Sequence, residues 1–378
     1  MTSRERLLAV LKHKKPDRIP WSPCLDGYFT ASLPKDLKMN IVETFRYISA
    51  DIMERHVPTF KVIPSFGDTS VIGLGSKIGL TEKREGGEII RIYEMPAGSL
   101  RERWKSTSLL PHILFPVEYK LKTIEDVKIY KYLLENQKYE PYFEDFRKEM
   151  EYIGQDGLAT ASGPQTPLQA LLETEMGIQN FYYNLFDHEN EIEDLLSLIH
   201  EKNKEAYRII AESPAEVVFI YEDTSTTSIS PDIYKRYEMS QIDDYADIMH
   251  RSGKIFITHM CGKLKALAYL IGEGRQDGIS ELTPPSTGDL DVAQARKIWK
   301  NKIIIGGLDP NVLTNFSIKE IENHVKRLLL EISSGDNFIL GSGDAVPYGT
   351  PIDNLRAIGR TVKNRGNTLS VKLIQKEQ

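Results

Sequence analysis

A chain of 378 residues, 40% hydrophobic and 27% charged, is long enough for one large α/β domain or two ordinary ones and has the balance of a folded, globular protein. Its net charge of -6 leaves no electrostatic footprint for nucleic acid, and no apolar run approaches the ~20 residues that a membrane helix needs. The opening Met1–Leu11 reads as an amphipathic helix rather than a signal peptide, so a cytoplasmic location is expected, with Cys24 and Cys261 as reduced thiols.

In chain order, the first candidate strands are Arg18–Ser22 and Asp51–Val57. Residues 83–106 then break the pattern. Ile89–Tyr93 and Gly98–Trp104 lie on either side of Met95-Pro-Ala-Gly98, as the arms of a β-hairpin do. From residue 157 onward short apolar runs alternate with longer helical patterns. The runs are Gly157–Ser162, Glu216–Tyr221, Lys254–Thr258, Gly278–Leu282, Lys302–Gly306 and Asn337–Gly341. Together with the two earlier strands they make eight βα units, which predicts a parallel α/β fold of the (β/α)8 TIM barrel type. The chain from 1 to 378 is expected to be a single barrel domain, with the hairpin inserted near strand two as a roof over one end. Helix starts are marked by Thr166-Pro167, Ser230-Pro231 and Thr350-Pro351, each a capping hydroxyl before a proline, and by the capping box Ser317-Ile-Lys-Glu320.

Barrel enzymes collect their chemistry at the C-terminal ends of the strands. There the sequence Lys254-Ile-Phe-Ile-Thr-His259-Met-Cys261-Gly262 is the most pointed feature. Residues i and i+2 of an extended strand face the same way, so His259 and Cys261 aim an imidazole and a thiol at one point, and both are favoured zinc ligands. The plainer alternative is a small core cysteine beside a hydrogen-bonded histidine. Other strand ends contribute Glu222-Asp223, Glu281, Asp309 and Asp344. Nitrogen and sulfur combined with carboxylate oxygen suit zinc better than calcium or magnesium. Glu238 sits seven residues past Pro231 in the following helix, where a solvated surface position is the simpler reading. Asp309 and Asp344 either orient a substrate or a water or cap the helices that follow. The glycines of Gly73–Gly79 and Gly272–Gly278 are spaced one residue too widely for a dinucleotide loop, and neither a Walker loop nor a Gly-x-Ser-x-Gly elbow occurs.

The opening Thr2-Ser-Arg-Glu-Arg-Leu through Pro16-Asp-Arg-Ile-Pro20 and the ending Gly341-Ser-Gly-Asp-Ala-Val-Pro-Tyr-Gly-Thr350-Pro-Ile-Asp-Asn354-Leu resemble the uroporphyrinogen decarboxylase superfamily of (β/α)8 enzymes. The decarboxylases proper carry an arginine-containing loop after the first strand. The equivalent stretch here, Trp21–Phe29, has no arginine, which argues against porphyrinogen decarboxylation. The His-x-Cys-Gly sequence instead resembles the zinc-dependent corrinoid methyltransferases. Their thiol-methylating branch completes the metal site with a second cysteine after the last strand, where this chain has Gly341-Ser342-Gly343. An oxygen ligand in place of that thiolate leaves a harder, more Lewis-acidic zinc, suited to an oxygen leaving group, and so the O-demethylase branch is the nearer likeness.

That likeness implies transfer of a methyl group from a small methylated substrate, an aromatic methyl ether, to a Co(I) corrinoid (cobalamin) carried by a partner protein. It also implies metal ligands among His259, Cys261, Glu238 and Asp223, with Glu222 the rival to Asp223, and it leaves Glu222 and Asp344 as candidate catalytic groups. Asp247-Ile-Met-His250-Arg-Ser-Gly253 is one residue too long for the usual cobalamin-binding motif, so a separate corrinoid protein is expected. The oligomeric state stays open, a homodimer included. Three alternatives remain at this point: transfer to a thiol with Cys24 as the second thiolate, a metal-free decarboxylase or lyase on the same barrel, and a non-catalytic tetrapyrrole-binding protein.

Overall fold

A computed structural model describes residues 1–63, 78–107, 114–332 and 336–374, so most of the Gly73–Gly79 stretch lies outside the described residues. Thirteen strands occur among them: β1 Ile52–Val57, β2 Phe60–Ile63, β3 Gly79–Glu85, β4 Glu88–Met95, β5 Gly98–Lys105, β6 Phe115–Glu118 and β7 Lys138–Pro141. They continue with β8 Gly157–Gly163, β9 Val217–Glu222, β10 Ile255–Met260, β11 Gly278–Leu282, β12 Ile303–Leu308 and β13 Phe338–Ser342. Seven form one parallel sheet in the order β1-β8-β9-β10-β11-β12-β13. The apolar runs recognised in the sequence coincide with these strands to within two residues.

The sheet curls until its edges meet through the segment Pro20–Cys24. On one side Ser22 N donates to Leu340 O at 2.8 Å and Leu340 N to Pro20 O at 2.9 Å; on the other Asp51 N donates to Trp21 O at 2.7 Å. The expected first strand, Arg18–Ser22, is corrected here. The segment fills the eighth place but makes only isolated bridges, Trp21 to Leu340 and Cys24 to Ala345. Pro20 and Pro23 each lack an N–H, and a segment so deprived cannot sustain a ladder between two neighbours. A buried carboxylate holds the join instead. Asp51 accepts from Trp21 N at 3.0 Å, Arg6 Nη1 at 2.7 Å and Arg18 Nη1 at 2.8 Å.

The inner face of the curled sheet is apolar. Met53, Leu158, Val217, Phe219, Ile257, Ile303, Ile305 and Ile339 come from six strands and pack in one cluster with Leu7, Val10 and Leu11 of the N-terminal helix Ser3–Leu11. That helix, fixed by the Thr2–Glu5 capping box, plugs the end where the strands begin and leaves the opposite end for chemistry. A second, larger cluster lies between the sheet and the surrounding helices. Thr166, Ser230 and Ser317 cap helices as expected.

The hairpin expected over 83–106 is part of a larger unit. β3, β4, β5 and β6 make a four-stranded antiparallel sheet, with β4 and β5 paired from Glu88↔Lys105 to Met95↔Gly98, and this sheet packs on the helix Ile124–Asn136. No helix among the described residues is long and apolar enough to cross a membrane.

One buried acid makes stability pH-dependent. Glu54, on the outer face of β1, has Oε2 buried without a hydrogen-bond partner among the described residues, and burial, with the nearby charge of Glu149, pushes its carboxyl up to about 8. The native state keeps a proton that the unfolded chain releases above the ordinary value of 4.5, so stability is full below that value and falls as pH rises toward about 8. Glu54→Gln is expected to flatten that slope and to raise the melting temperature near pH 8 by about 2 °C or more. Thermal unfolding of both proteins across this range checks it; equal slopes would clear Glu54.

Candidate metal centre

β10 carries His259 into the barrel mouth. Ile257 lies in the interior cluster, so two residues further on the imidazole faces the same way. Cys261 follows at the strand end, and the chain turns sharply at Gly262, whose φ is +77°; a Cβ there would also meet Ser225 Oγ at 2.9 Å. Asp344 arrives from across the mouth, two residues past β13. Ligand atoms of His259, Cys261 and Asp344 all lie within 4.8 Å of one another, with His259 Nε2 4.0 Å from Asp344 Oδ1. Three donors so disposed can close on a zinc ion with bonds of about 2.0–2.3 Å.

The other imidazole nitrogen has a carboxylate close by, at ion-pair distance but not aligned as a hydrogen bond. His259 Nδ1 lies 3.0 Å from Glu281 Oε2, and Glu281 Oε1 pairs with Arg55 Nη1. All three side chains are buried. Burial pushes Glu281 up, but Arg55 and His259 outweigh it and hold the carboxyl down at about 2. Burial pulls His259 down, and the Glu281 contact overrides it, so the imidazole is raised. An ionised carboxylate beside Nδ1 favours the proton there and leaves Nε2 as the lone pair that faces Cys261 and Asp344.

Cys261 donates to Asp223 Oδ1 at 3.3 Å; burial, aided by Asp344 and Asp223, raises its thiol. Burial also raises Asp344, against the opposing pull of His259.

The structure separates the remaining sequence candidates. Asp223 borders the cluster through Cys261. Glu238 does not sit on a solvated helix face; it is fully buried at the break between the helices Pro231–Tyr237 and Met239–Arg251. Its oxygens accept from Gln169 Nε2 at 3.0 Å and Thr224 Oγ1 at 2.5 Å. Glu222 is likewise buried and accepts from Thr166 N at 2.7 Å and Thr166 Oγ1 at 2.6 Å. Burial raises both carboxyls, aided at Glu222 by the charge of Glu238 and at Glu238 by those of Glu173 and Asp223. Neither belongs to the His259–Cys261–Asp344 cluster, whereas Asp344, read from the sequence as a catalytic group, does. Asp309 resolves as a helix cap: its side chain accepts from Asn311 N at 2.7 Å. Cys24 is buried outside the cluster, and its backbone N–H donates to Ser342 Oγ at 2.9 Å.

A pocket of about 470 Å³ opens beside Asp223, between the π-helical turn Leu171–Glu175 and the start of the helix Ile178–Asp187. Glu173 in its wall accepts from Asp223 N at 3.3 Å.

Glu281 was read from the sequence only as one of several strand-end carboxylates, and Arg55 was not singled out. In β11 the register runs from Ile279↔Ile304 to Leu282↔Gly306, so one extra residue is accommodated at Ser280–Glu281, and Glu281 takes a φ of +57°. Strict alternation puts Glu281 on the outer face with Ile279; the bulge turns it inward. β1 has the same irregularity between Glu54↔Ala159 and Val57↔Ala161, next to Arg55.

The family model described as uroporphyrinogen decarboxylase (URO-D) matches residues 119–365. The chain belongs to this family. The match includes every barrel strand from β8 to β13, and with them His259, Cys261, Glu281 and Asp344, but stops short of Cys24 and Arg55. Within the family the chain is similar to the uroporphyrinogen decarboxylase of Rickettsia conorii, 26% identical over 275 residues that make up 68% of this chain and 76% of the relative. It is 27% identical over the same length to that of Rickettsia rickettsii, with the same coverage of each chain. Among solved structures, a methyltransferase from Methanosarcina mazei superposes with a TM-score of 0.60 at 14% identity, covering 96% of this chain and 99% of that one, which extends the likeness of fold over nearly the whole length.

Proposed function

We propose that this chain is a zinc-dependent methyltransferase that moves a methyl group from a small methylated substrate, an aromatic methyl ether, to the Co(I) corrinoid of a partner protein. The observation that carries the reading is the convergence of His259, Cys261 and Asp344 at the barrel mouth. Nitrogen, sulfur and oxygen donors make a zinc set, and a carboxylate behind the histidine is the usual support of such a ligand. These residues would hold the ion, with Asp223 next in reach; Glu238 lies deeper and braces the Asp223 loop through Thr224.

When bound, zinc supplies a Lewis acid for the oxygen that the methyl group leaves, and the corrinoid supplies the nucleophile. The chain's own groups prepare this. Glu281, 3.0 Å from His259 Nδ1, would favour a proton on that nitrogen and leave the Nε2 lone pair for the ion. Asp223 accepts the Cys261 S–H and is placed to take its proton when a thiolate is required. Transfer to a thiol, the variant that enlists Cys24, has less support because Cys24 lies outside the cluster.

The test is elemental analysis of the untagged protein together with a spectroscopic assay of corrinoid methylation by methyl ethers. Stoichiometric zinc, and methyl transfer that stops when a chelator removes it, supports the reading. Protein without zinc after growth in added metal would end it and leave the metal-free barrel lyase.

A further inference from the structure

β1 brings one arginine into the barrel. Met53 belongs to the interior cluster and Arg55 lies two residues on, with its guanidinium carbon 5.1 Å from the centroid of the Phe219 ring. The residue is 3% exposed. Glu281 occupies Nη1, while Nε and Nη2 are buried and have no hydrogen-bond partner among the described residues. Those two nitrogens share one edge of the planar guanidinium. Their parallel N–H groups match the two oxygens of a carboxylate, the strongest and most directional pairing open to arginine.

Among the described residues no hydrogen bond fills that edge. Glu281 has one oxygen on Arg55 and the other beside His259. Cys24, within electrostatic reach of Arg55, is a thiol that burial keeps protonated. Unsatisfied donors on a buried cation are costly, and native structures retain them where a ligand or water completes the set.

We infer that the free Nε–Nη2 edge of Arg55 is the anchor for a substrate carboxylate, so that the molecule taken by this centre is a methylated acid rather than a neutral ether. The word substrate rests on the methyl-transfer reading; the anion site stands on the Arg55 geometry alone. Only Glu281 separates the anchor from His259, which ties recognition of the acid to the residue that steadies the metal ligand.

The experiment is calorimetric titration with methoxyacetate, the smallest methyl ether that carries a carboxylate, and with its neutral amide, on the wild type and on Arg55→Lys. Lysine keeps a cation opposite Glu281 but lacks the planar edge. The acid is expected to bind the wild type at least about tenfold more tightly than the amide, and the folded Arg55→Lys protein is expected to lose that preference. Equal binding of acid and amide, binding of neither, or a preference that survives Arg55→Lys overturns the inference. Where Arg55→Lys does not fold, the wild-type comparison decides. The two proposals also fail separately. Zinc-loaded, methyl-transferring protein with no preference for the acid rejects the anchor alone, whereas preference for the acid without zinc keeps the anchor and rejects methyl transfer.

Discussion

Glu281→Ala is expected to destabilise the protein by about 3–5 kcal/mol and to weaken zinc binding about 10–100-fold. The stability loss follows from Arg55. Its Nη1 has Glu281 as partner in a buried site, so removing the carboxylate strands a buried cation. The loss of metal affinity follows from His259, whose Nδ1 would lose the carboxylate charge that favours a proton there and a free Nε2. Glu281→Gln separates the two effects: it preserves volume and a carbonyl acceptor but removes the charge, so it should fold better than the alanine variant and still bind zinc more weakly than the wild type. Chemical denaturation and zinc competition read the two quantities independently. An alanine variant as stable as the wild type would show that the Arg55–Glu281 pair contributes nothing to the fold.

His259→Ala is expected to lose zinc and, with it, methyl transfer, at little cost to folding. A structural zinc site is worth about 10–16 kcal/mol, so one ligand in four carries about 3 kcal/mol, or roughly 100-fold in affinity. Cys261→Ser should come close to that loss, since a hydroxyl is a poor substitute for a thiolate. The contrast with Glu281→Ala is informative. His259 sits at the mouth, and its removal leaves Glu281 with Arg55, so no buried charge is stranded. Metal analysis beside thermal melting checks the prediction; undiminished zinc in either variant would move the centre elsewhere.

Much of the centre is legible in the sequence because its first pair is local. His259 and Cys261 are two residues apart on a strand, and alternation alone brings them to one face. Pro20 and Pro23 were equally visible and, weighed as missing donors, already argue against a ladder strand at Arg18–Ser22. Glu238 misled in both directions. Its helical spacing suggested solvent and the resemblance suggested a ligand, whereas the helix breaks at that residue and the side chain is buried against Gln169 and Thr224. Glu281 was legible only as a strand-end carboxylate, because the bulge in β11 reverses the face that its side chain presents, and Arg55, inward by alternation, gave no local sign of its partner Glu281.

Taken by itself, the sequence determined a parallel α/β sheet of barrel type, the positions of its seven ladder strands, three helix caps and the placing of His259 beside Cys261. All of these depend on periodicities and spacings within a few residues. Tertiary structure alone decided that Asp344, not Glu238, completes the cluster, and that Arg55, Glu281 and His259 form a buried chain. Asp344 lies more than eighty residues from His259 and meets it because the sheet curls between β10 and β13. Closure and register depend on the whole sheet, and no local pattern of side chains encodes either.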